Sequence, residues 1–378
     1  MEDSTLRSEL VTRLLEHCAH ASVTGSEGAL ADALEQRYRT AGEQVTRIKN
    51  SLVVGRPDPD RPLVLLVGHL DTVPPTDADA VPHESTLPDG TAVVVARGAS
   101  DMKAGNVVAM HLFDDEELRA MSPWALAVVL YAGEEGPASG NELADVLDAA
   151  PWLTEAVLAI VLEPTDSQVE LGCLGGIHAR VHFSGTAAHS ARPWQGHNAL
   201  GAAGPFLAAL EARDPVTRSV DGIEFRDVLV PTQAWTGGLG PDGSGRAPLN
   251  VVPDRFTVNV NLRFAPSRDI ETAEQELRAE LAALAGTAVS IEIVDRAAPA
   301  PPRRHDPVVQ AFVSAVGATV AGKQAWTDVA RFTERGVPAL NFGPGATAQA
   351  HQRGEWVAVD ALVDARVRLR SFLSGATA

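Results

Sequence analysis

The 378-residue chain has only two cysteines, Cys18 and Cys173. Two thiols build neither a disulfide framework nor a thiolate zinc site, so any bound metal must be held by imidazole and carboxylate. The chain is also short of positive charge, with 31 Lys and Arg against 49 Asp and Glu and a formal net charge of −18. A field of that sign repels nucleic acid and anionic membrane, and no basic run offsets it. An anionic substrate would therefore need arginines aimed at it locally. Long apolar runs are missing too: none reaches the roughly 18–20 residues that span a bilayer. The stretch from Met1 to Arg13 alternates charged and apolar residues and has no signal-peptide core. The expectation is a cytoplasmic protein with no nucleic-acid partner and no membrane association. There is no internal repeat and no low-complexity tract.

What is present is an ordinary globular composition, 45% hydrophobic and 21% charged, at a length that suits about two domains. Leu6 to His17 carries apolar residues at helical spacing, and Ser26 is placed to cap a second helix through Leu30, Ala33 and Leu34. Three short apolar runs follow, Leu63–Val67, Leu126–Tyr131 and Val157–Leu162. Continuous apolar character at that length predicts strands covered on both faces. Each run ends in charged or metal-capable residues: His69 and Asp71, then Glu134 and Glu135, then Glu163. In open α/β sheets sites lie beyond the carboxyl ends of the strands, so three such endings predict one cluster there.

The texture changes near Gly175. Ile177, Ala179, Val181 and Phe183 alternate with polar residues, as in a half-buried strand. A helical segment around Asn198–Leu210, strands over Val228–Trp235 and Phe256–Phe264, an amphipathic helix Ile270–Leu284 and a strand Val289–Val294 complete the order β-α-β-β-α-β. That order predicts a ferredoxin-like α+β domain over 176–294, inserted into an α/β domain with a central mixed sheet built from 1–175 and 295–378. The Pro- and Arg-rich stretch Ala297–Arg304 reads as the linker back, followed by helix Pro307–Val316, strand Ala339–Phe342 and closing helix Val359–Leu373.

In Gly68-His69-Leu70-Asp71, two residues apart in extended chain, His69 and Asp71 point the same way, and Asp71 can accept a hydrogen bond from the ring nitrogen that faces away from a metal. A plain structural pair satisfies the same spacing. Asp101 stands in a glycine-bearing loop before a helical run, Val107–Phe113. It can either bridge two cations through its two oxygens or cap that helix. Glu134 and Glu135 are adjacent carboxylates, an arrangement that is costly unless a proton or cation intervenes. One of them can bind metal while the other takes a proton from water; a solvated turn is the alternative. Glu163 is held extended by Pro164. His351 follows the tight loop Asn341-Phe342-Gly343-Pro344-Gly345, which can present it as a second imidazole.

In this order, from Ser22-Val-Thr-Gly to Glu355-Trp-Val, these segments resemble the co-catalytic zinc peptidase and deacylase superfamily: aminoacylases, glutamate carboxypeptidases, acetylornithine deacetylases and succinyl-diaminopimelate desuccinylases. The resemblance implies a zinc-peptidase-like catalytic domain and two zinc ions per subunit, for which cobalt can substitute. Asp101 would bridge them, His69 and Glu163 would complete one site, and Glu135 and His351 the other. Glu134 would be the general base, Asp71 the orienting residue and the Asp101-Met102 peptide cis. The inserted domain would be a lid and dimerisation domain. His189, in Ala187-Ala188-His189-Ser190-Ala191-Arg192-Pro193, resembles the histidine that approaches the substrate carbonyl from the partner subunit of a homodimer. Asn250 resembles a substrate contact.

Within the superfamily the likeness is closest to the desuccinylases. Gly172-Cys173-Leu174-Gly175 follows the Glu-Pro segment as in one form of them, and Thr327, Arg331 and Arg263 match residues that contact substrate. Arginines suit a multiply anionic amide, because guanidinium groups hold carboxylates bidentately. The implied reaction is hydrolysis of N-succinyl-LL-2,6-diaminopimelate to succinate and LL-diaminopimelate, in lysine and diaminopimelate biosynthesis. Some desuccinylases have an arginine where this chain has Cys173 and Leu174, so that contact is either missing or supplied elsewhere, for instance by Arg180 or Arg192. The alternatives are an N-acetylornithine deacetylase or another N-acyl-amino-acid hydrolase or carboxypeptidase and, from another class, a catalytically silent metal- or metabolite-binding protein. The presence of Glu134 speaks against a silent protein.

Overall fold

The three apolar runs that end in chemistry-bearing residues form neighbouring parallel strands in the computed structural model, which describes residues 2–237, 249–286 and 289–375. Leu63–His69 lies between Ala125–Tyr131 and Leu158–Val161 and pairs parallel with both. Every residue of the three strands is buried, the pattern expected when helices cover both faces. They are the centre of an eight-stranded mixed sheet. Its order is Val45–Ile48, Ser51–Gly55, Ala125–Tyr131, Leu63–His69, Leu158–Val161, Ala339–Asn341, Val169–Cys173, Val320–Lys323. Helices Glu2–Ala19, Ala104–Asp114, Pro307–Val316 and Val359–Leu373 supply Leu10, Leu14, Val107, Phe113, Phe312, Leu362 and Phe372 to one apolar core with the sheet. A separate three-stranded sheet joins Trp356–Ala358, Ala92–Val95 and His83–Thr86.

This α/β unit comprises Met1–Gly172, Arg303–Ala321 and Asp328–Ala378. Its second helix begins at Gly28, with Glu27 at the cap position and no side-chain cap bond, so Ser26 is not the cap that its residue type suggested. The Glu27 carboxylate instead accepts from the Gly25 N–H at 2.7 Å, closing the preceding turn.

Helix Ala104–Asp114 lies so close to the end of the Leu158–Val161 strand that a Cβ on Gly105 would stand 2.2 Å from the Leu162 carbonyl oxygen. Backbone cannot move aside as a flexible side chain can. Gly105→Ala is therefore expected to destabilise the fold by about 1–3 kcal/mol through overpacking, seen as a lowered denaturant midpoint at constant m-value. An unchanged midpoint would contradict that packing.

The second unit comprises Cys173–Pro302 and Gly322–Thr327. Its five-stranded sheet runs Val216–Val220, Ile223–Thr236, Arg255–Phe264, Gly175–Ser184, Val289–Ala297, with antiparallel neighbours throughout. Without the first strand this is the β-α-β-β-α-β arrangement, with two α-β hairpin halves interleaved. Helices Gly204–Glu211 and Ile270–Ala285 bring Phe206, Leu277 and Leu281 against Ile177, Ala179, Val181 and Phe183 on one sheet face. The expected limits 176–294 lie inside the observed unit. The chain also returns to it near Gln324, whose side chain accepts from the Arg226 N–H at 3.0 Å and donates to the Glu224 carbonyl at 2.9 Å. A short polar segment docking on a strand nearly 100 positions away leaves no local signal in sequence. No helix among the described residues is long and apolar enough to cross a membrane.

Candidate active site

The carboxyl ends of the three central strands deliver His69, Glu134, Glu135 and Glu163 to one edge of the α/β unit, where the loop bearing Asp101 and the turn bearing His351 meet them. Three groups result whose ligand atoms lie within 4.8 Å of one another: His69 with Asp101 and Glu163; Asp101 with Glu135 and His351; and His69 with Glu134 and Glu135.

His69 is 1% exposed. Its Nδ1 stands 3.0 Å from the Asp71 main-chain oxygen. A carbonyl only accepts, so Nδ1 carries the hydrogen and Nε2 presents its lone pair. Nε2 in turn faces Asp101 Oδ1 at 3.2 Å. Two acceptors at that distance require a proton or a cation between them. Without a cation it is a proton: burial works against charge on His69, but the hydrogen bond to Asp101 and the charge of Glu134 outweigh it and hold the imidazole well above its usual range. His351 repeats the arrangement. Its Nε2 lies 2.8 Å from Glu135 Oε2 and 3.7 Å from Asp101 Oδ2, and the bond to Glu135 raises its pKa although partial burial opposes this. Each oxygen of Asp101 thus faces a different imidazole.

Asp71 does not orient His69 through its carboxylate, as its spacing suggested, since Oδ1 is 3.7 Å from Nδ1. The carboxylate is instead fully buried and accepts the main-chain N–H of Glu134 on Oδ1 and that of Glu135 on Oδ2, both at 3.0 Å, with Thr24 Oγ1 at 2.9 Å. It therefore fixes the paired glutamates, while its main chain fixes the imidazole. The turn into the pair needs glycine: Gly133 has φ +82° and a Cβ there would meet the Gly140 oxygen at 2.2 Å. Glu134 holds its proton well above the usual carboxylate range. Burial is the main cause, opposed by His69 and reinforced by Glu163, Asp328 and Glu135. Asp101 caps no helix, for the next one takes Lys103 at its cap position, and the Asp101-Met102 peptide is cis.

Sequence reasoning missed what lies under this edge. Asp328 is fully buried and accepts from Tyr131 Oη at 2.7 Å, Asn141 Nδ2 at 2.8 Å and Arg331 Nε at 2.7 Å. Tyr131 packs edge-on against the His69 ring. A buried acid in Thr327-Asp328-Val329 looks no different in sequence from a helix-capping one.

Of the expected substrate contacts, Arg331 lies in the α/β unit, whereas His189, Asn250, Arg263 and Thr327 lie in the second. His189 and Asn250 come together there: His189 pairs with Val251 in a two-stranded ladder and Ser190 donates to the Asn250 carbonyl at 2.8 Å. His189 Nδ1 accepts from the Ala191 N–H at 3.0 Å, which leaves the hydrogen of the neutral ring on Nε2. Arg263 is partly buried, and its pKa is lowered by that burial. Arg180 is engaged by Glu292 at 3.8 Å and lies over the Trp235 ring, while Arg192 is exposed.

The model of the family described as Peptidase family M20/M25/M40 matches residues 65–374. The chain is 34% identical over 356 residues to a putative succinyl-diaminopimelate desuccinylase of Mycobacterium tuberculosis, covering 94% of this chain and 95% of the relative. It is 32% identical over 357 residues to the succinyl-diaminopimelate desuccinylase of Corynebacterium glutamicum, covering 93% of each. Among solved structures, the fold is similar to an aminopeptidase of Bacillus cereus, with a TM-score of 0.73 at 18% identity over 97% of this chain and 98% of the other. It is also similar to a dinuclear metal-binding peptidase of Bacillus subtilis, with a TM-score of 0.66 at 13% identity over 99% of each.

Proposed function

The chain belongs to peptidase family M20/M25/M40, and from that premise we propose that it is a metal-dependent succinyl-diaminopimelate desuccinylase. It hydrolyses N-succinyl-LL-2,6-diaminopimelate to succinate and LL-diaminopimelate, a step of lysine and diaminopimelate biosynthesis. The observation that carries the chemistry is Asp101, whose two oxygens face His69 and His351 separately, with Glu134 beside them.

The donor set fits two divalent cations. Four carboxylates and two imidazoles converge, an arrangement that is costly without compensating positive charge. Nitrogen and oxygen ligands without thiolate suit zinc, with cobalt able to substitute. His69, Asp101 and Glu163 would hold one ion, and Asp101, Glu135 and His351 the other. Ions so placed would polarise the scissile carbonyl and lower the pKa of the attacking water.

The chain's own groups supply the rest. Glu134, whose pKa burial raises above the usual carboxylate range, takes the proton and returns it to the leaving amine. Asp71 keeps Glu134 and Glu135 on their separate tasks by binding both main-chain N–H groups. His189, with its hydrogen on Nε2, donates to the oxyanion across a homodimer formed through the second unit, which serves as lid. Asn250, Arg263, Thr327 and Arg331 bind the substrate's polar ends, and guanidinium groups offset the repulsion between an acidic protein and an anionic substrate. Cys18 and Cys173 are not joined in a disulfide, as suits the cytoplasm.

Steady-state hydrolysis by zinc-loaded protein, with N-succinyl-LL-diaminopimelate beside N-acetylornithine, tests the assignment. A strong preference for the succinyl substrate is expected. Preference for acetylornithine would move the protein to the deacetylases, and turnover of neither would remove both substrates.

A further inference from the structure

Glu355 lies four positions beyond His351 and is 1% exposed. Its Oε1 accepts the main-chain N–H of Ser100 at 2.8 Å and of Asp101 at 2.9 Å. Its Oε2 accepts the Gly98 N–H and Arg97 Nη1, both at 2.9 Å. These four donors use the roughly four acceptor positions of a carboxylate. The loop that carries Asp101 is thus wrapped around one side chain.

The same cluster reaches the turn that carries His351. Arg97 Nη2 donates to the Gln352 carbonyl at 3.1 Å and to Asp79 Oδ2 at 3.2 Å. Asp79 Oδ2 also accepts from the Gly354 N–H at 2.8 Å, and the Glu355 carbonyl accepts from Ala96 at 3.0 Å. Within this grip His351 adopts φ +62°, a left-handed conformation that costs a non-glycine residue about 1–3 kcal/mol unless its surroundings impose it.

We propose that Glu355, with Arg97 and Asp79, is a positioning residue: it locks the Asp101 loop to the His351 turn and so pre-builds the cation site formed by Asp101, Glu135 and His351. This rests on the two-cation reading above. His69 and Glu163 need no such device, because they sit at the ends of packed parallel strands. Asp101 belongs to both groups but the His351 turn serves only one, so the clamp bears on that site through two ligands and on the other through one. Residues that hold ligands in place typically contribute ~10–100-fold to metal affinity, and here that contribution falls more heavily on the ion that His351 serves.

The test is a chelator-competition titration of zinc into the full chain, with Glu355→Gln as variant. Gln keeps the shape but turns an NH2 group toward two N–H donors. The binding step of the Asp101, Glu135 and His351 site is expected to weaken by about 10–100-fold, and the other step, touched through Asp101 alone, by less. Combining Glu355→Gln with His351→Ala should weaken zinc binding by less than the two single effects added together, as expected for residues acting through a shared site. Arg97→Lys, a milder change that keeps the charge, should shift the same step by less. Equal weakening of both steps, or a lowered melting temperature with both affinities intact, would overturn the clamp and leave the two-cation site standing. A wild-type protein that takes up fewer than two ions would overturn both.

Discussion

Alanine at position 134 is expected to lower kcat by about 10²–10⁴-fold, the range for removing a general acid–base group, with two cations still bound. The expectation follows from how the paired glutamates divide. Glu135 faces His351 at 2.8 Å and belongs with Asp101 to a ligand group. Glu134 is a carboxylate that burial, opposed by His69 and reinforced by the neighbouring acids, holds toward the protonated form. A group that must gain and lose a proton within one turnover benefits from a pKa near the working pH, and burial raises that of Glu134 above the usual carboxylate range. Glu134 also falls in a potential ligand group with His69 and Glu135, so metal analysis is the deciding readout. Loss of activity with full cation content assigns the base. Loss of a cation along with activity would make Glu134 a ligand and send the search for the base elsewhere.

What could be read from sequence depended on whether the signal was local. The strands carrying His69, Glu134 and Glu163 are continuous apolar runs, and burial on both faces writes that pattern directly. Helix Pro307–Val316 is marked at both ends, by the capping Asp306 before Pro307 and by the left-handed Gly317 after it, whereas Val359–Leu373 has no side-chain cap and is legible through its periodicity alone. Val45–Ile48 and Ser51–Gly55 were not legible, because Lys49 takes the positive-φ position of their hairpin (φ 49°) in place of the glycine or asparagine that marks such turns. His83–Thr86 is exposed throughout and has no alternation to read.

The site divides in the same way. Ligand-type residues at strand ends were visible because several converged on one predicted edge. Asp71 was visible, but two-residue periodicity concerns side chains, and the partner of His69 Nδ1 turned out to be the Asp71 main chain. Asp328 and Glu355 were invisible as site residues. Each is a single acid whose donors come mostly from distant segments, 197 and 187 positions away for Tyr131 and Asn141, and only the folded chain brings those donors to it.

The second large effect is expected at Asp101. Asp101→Asn removes one of two oxygens at the only residue common to the groups around His69–Glu163 and Glu135–His351 among the described residues. The remaining oxygen can face one imidazole, as Oδ1 now faces His69 at 3.2 Å. The other side then receives an NH2 group, which cannot coordinate and points its hydrogens at the position a cation must take. One negative charge also disappears from a cluster whose charge is the reason cations gather there. Cation content should fall from two per chain to one at most, and kcat/KM by at least ~10³-fold, equivalent to about 4 kcal/mol of lost transition-state stabilisation. Metal analysis after dialysis and steady-state kinetics on the same sample check both. The weakly exchanging ion should return at millimolar zinc without restoring the rate, since the amide still lacks the second anionic oxygen. Full activity with two ions bound would show that Asp101 does not bridge, and that the opposed imidazoles answer to separate carboxylates.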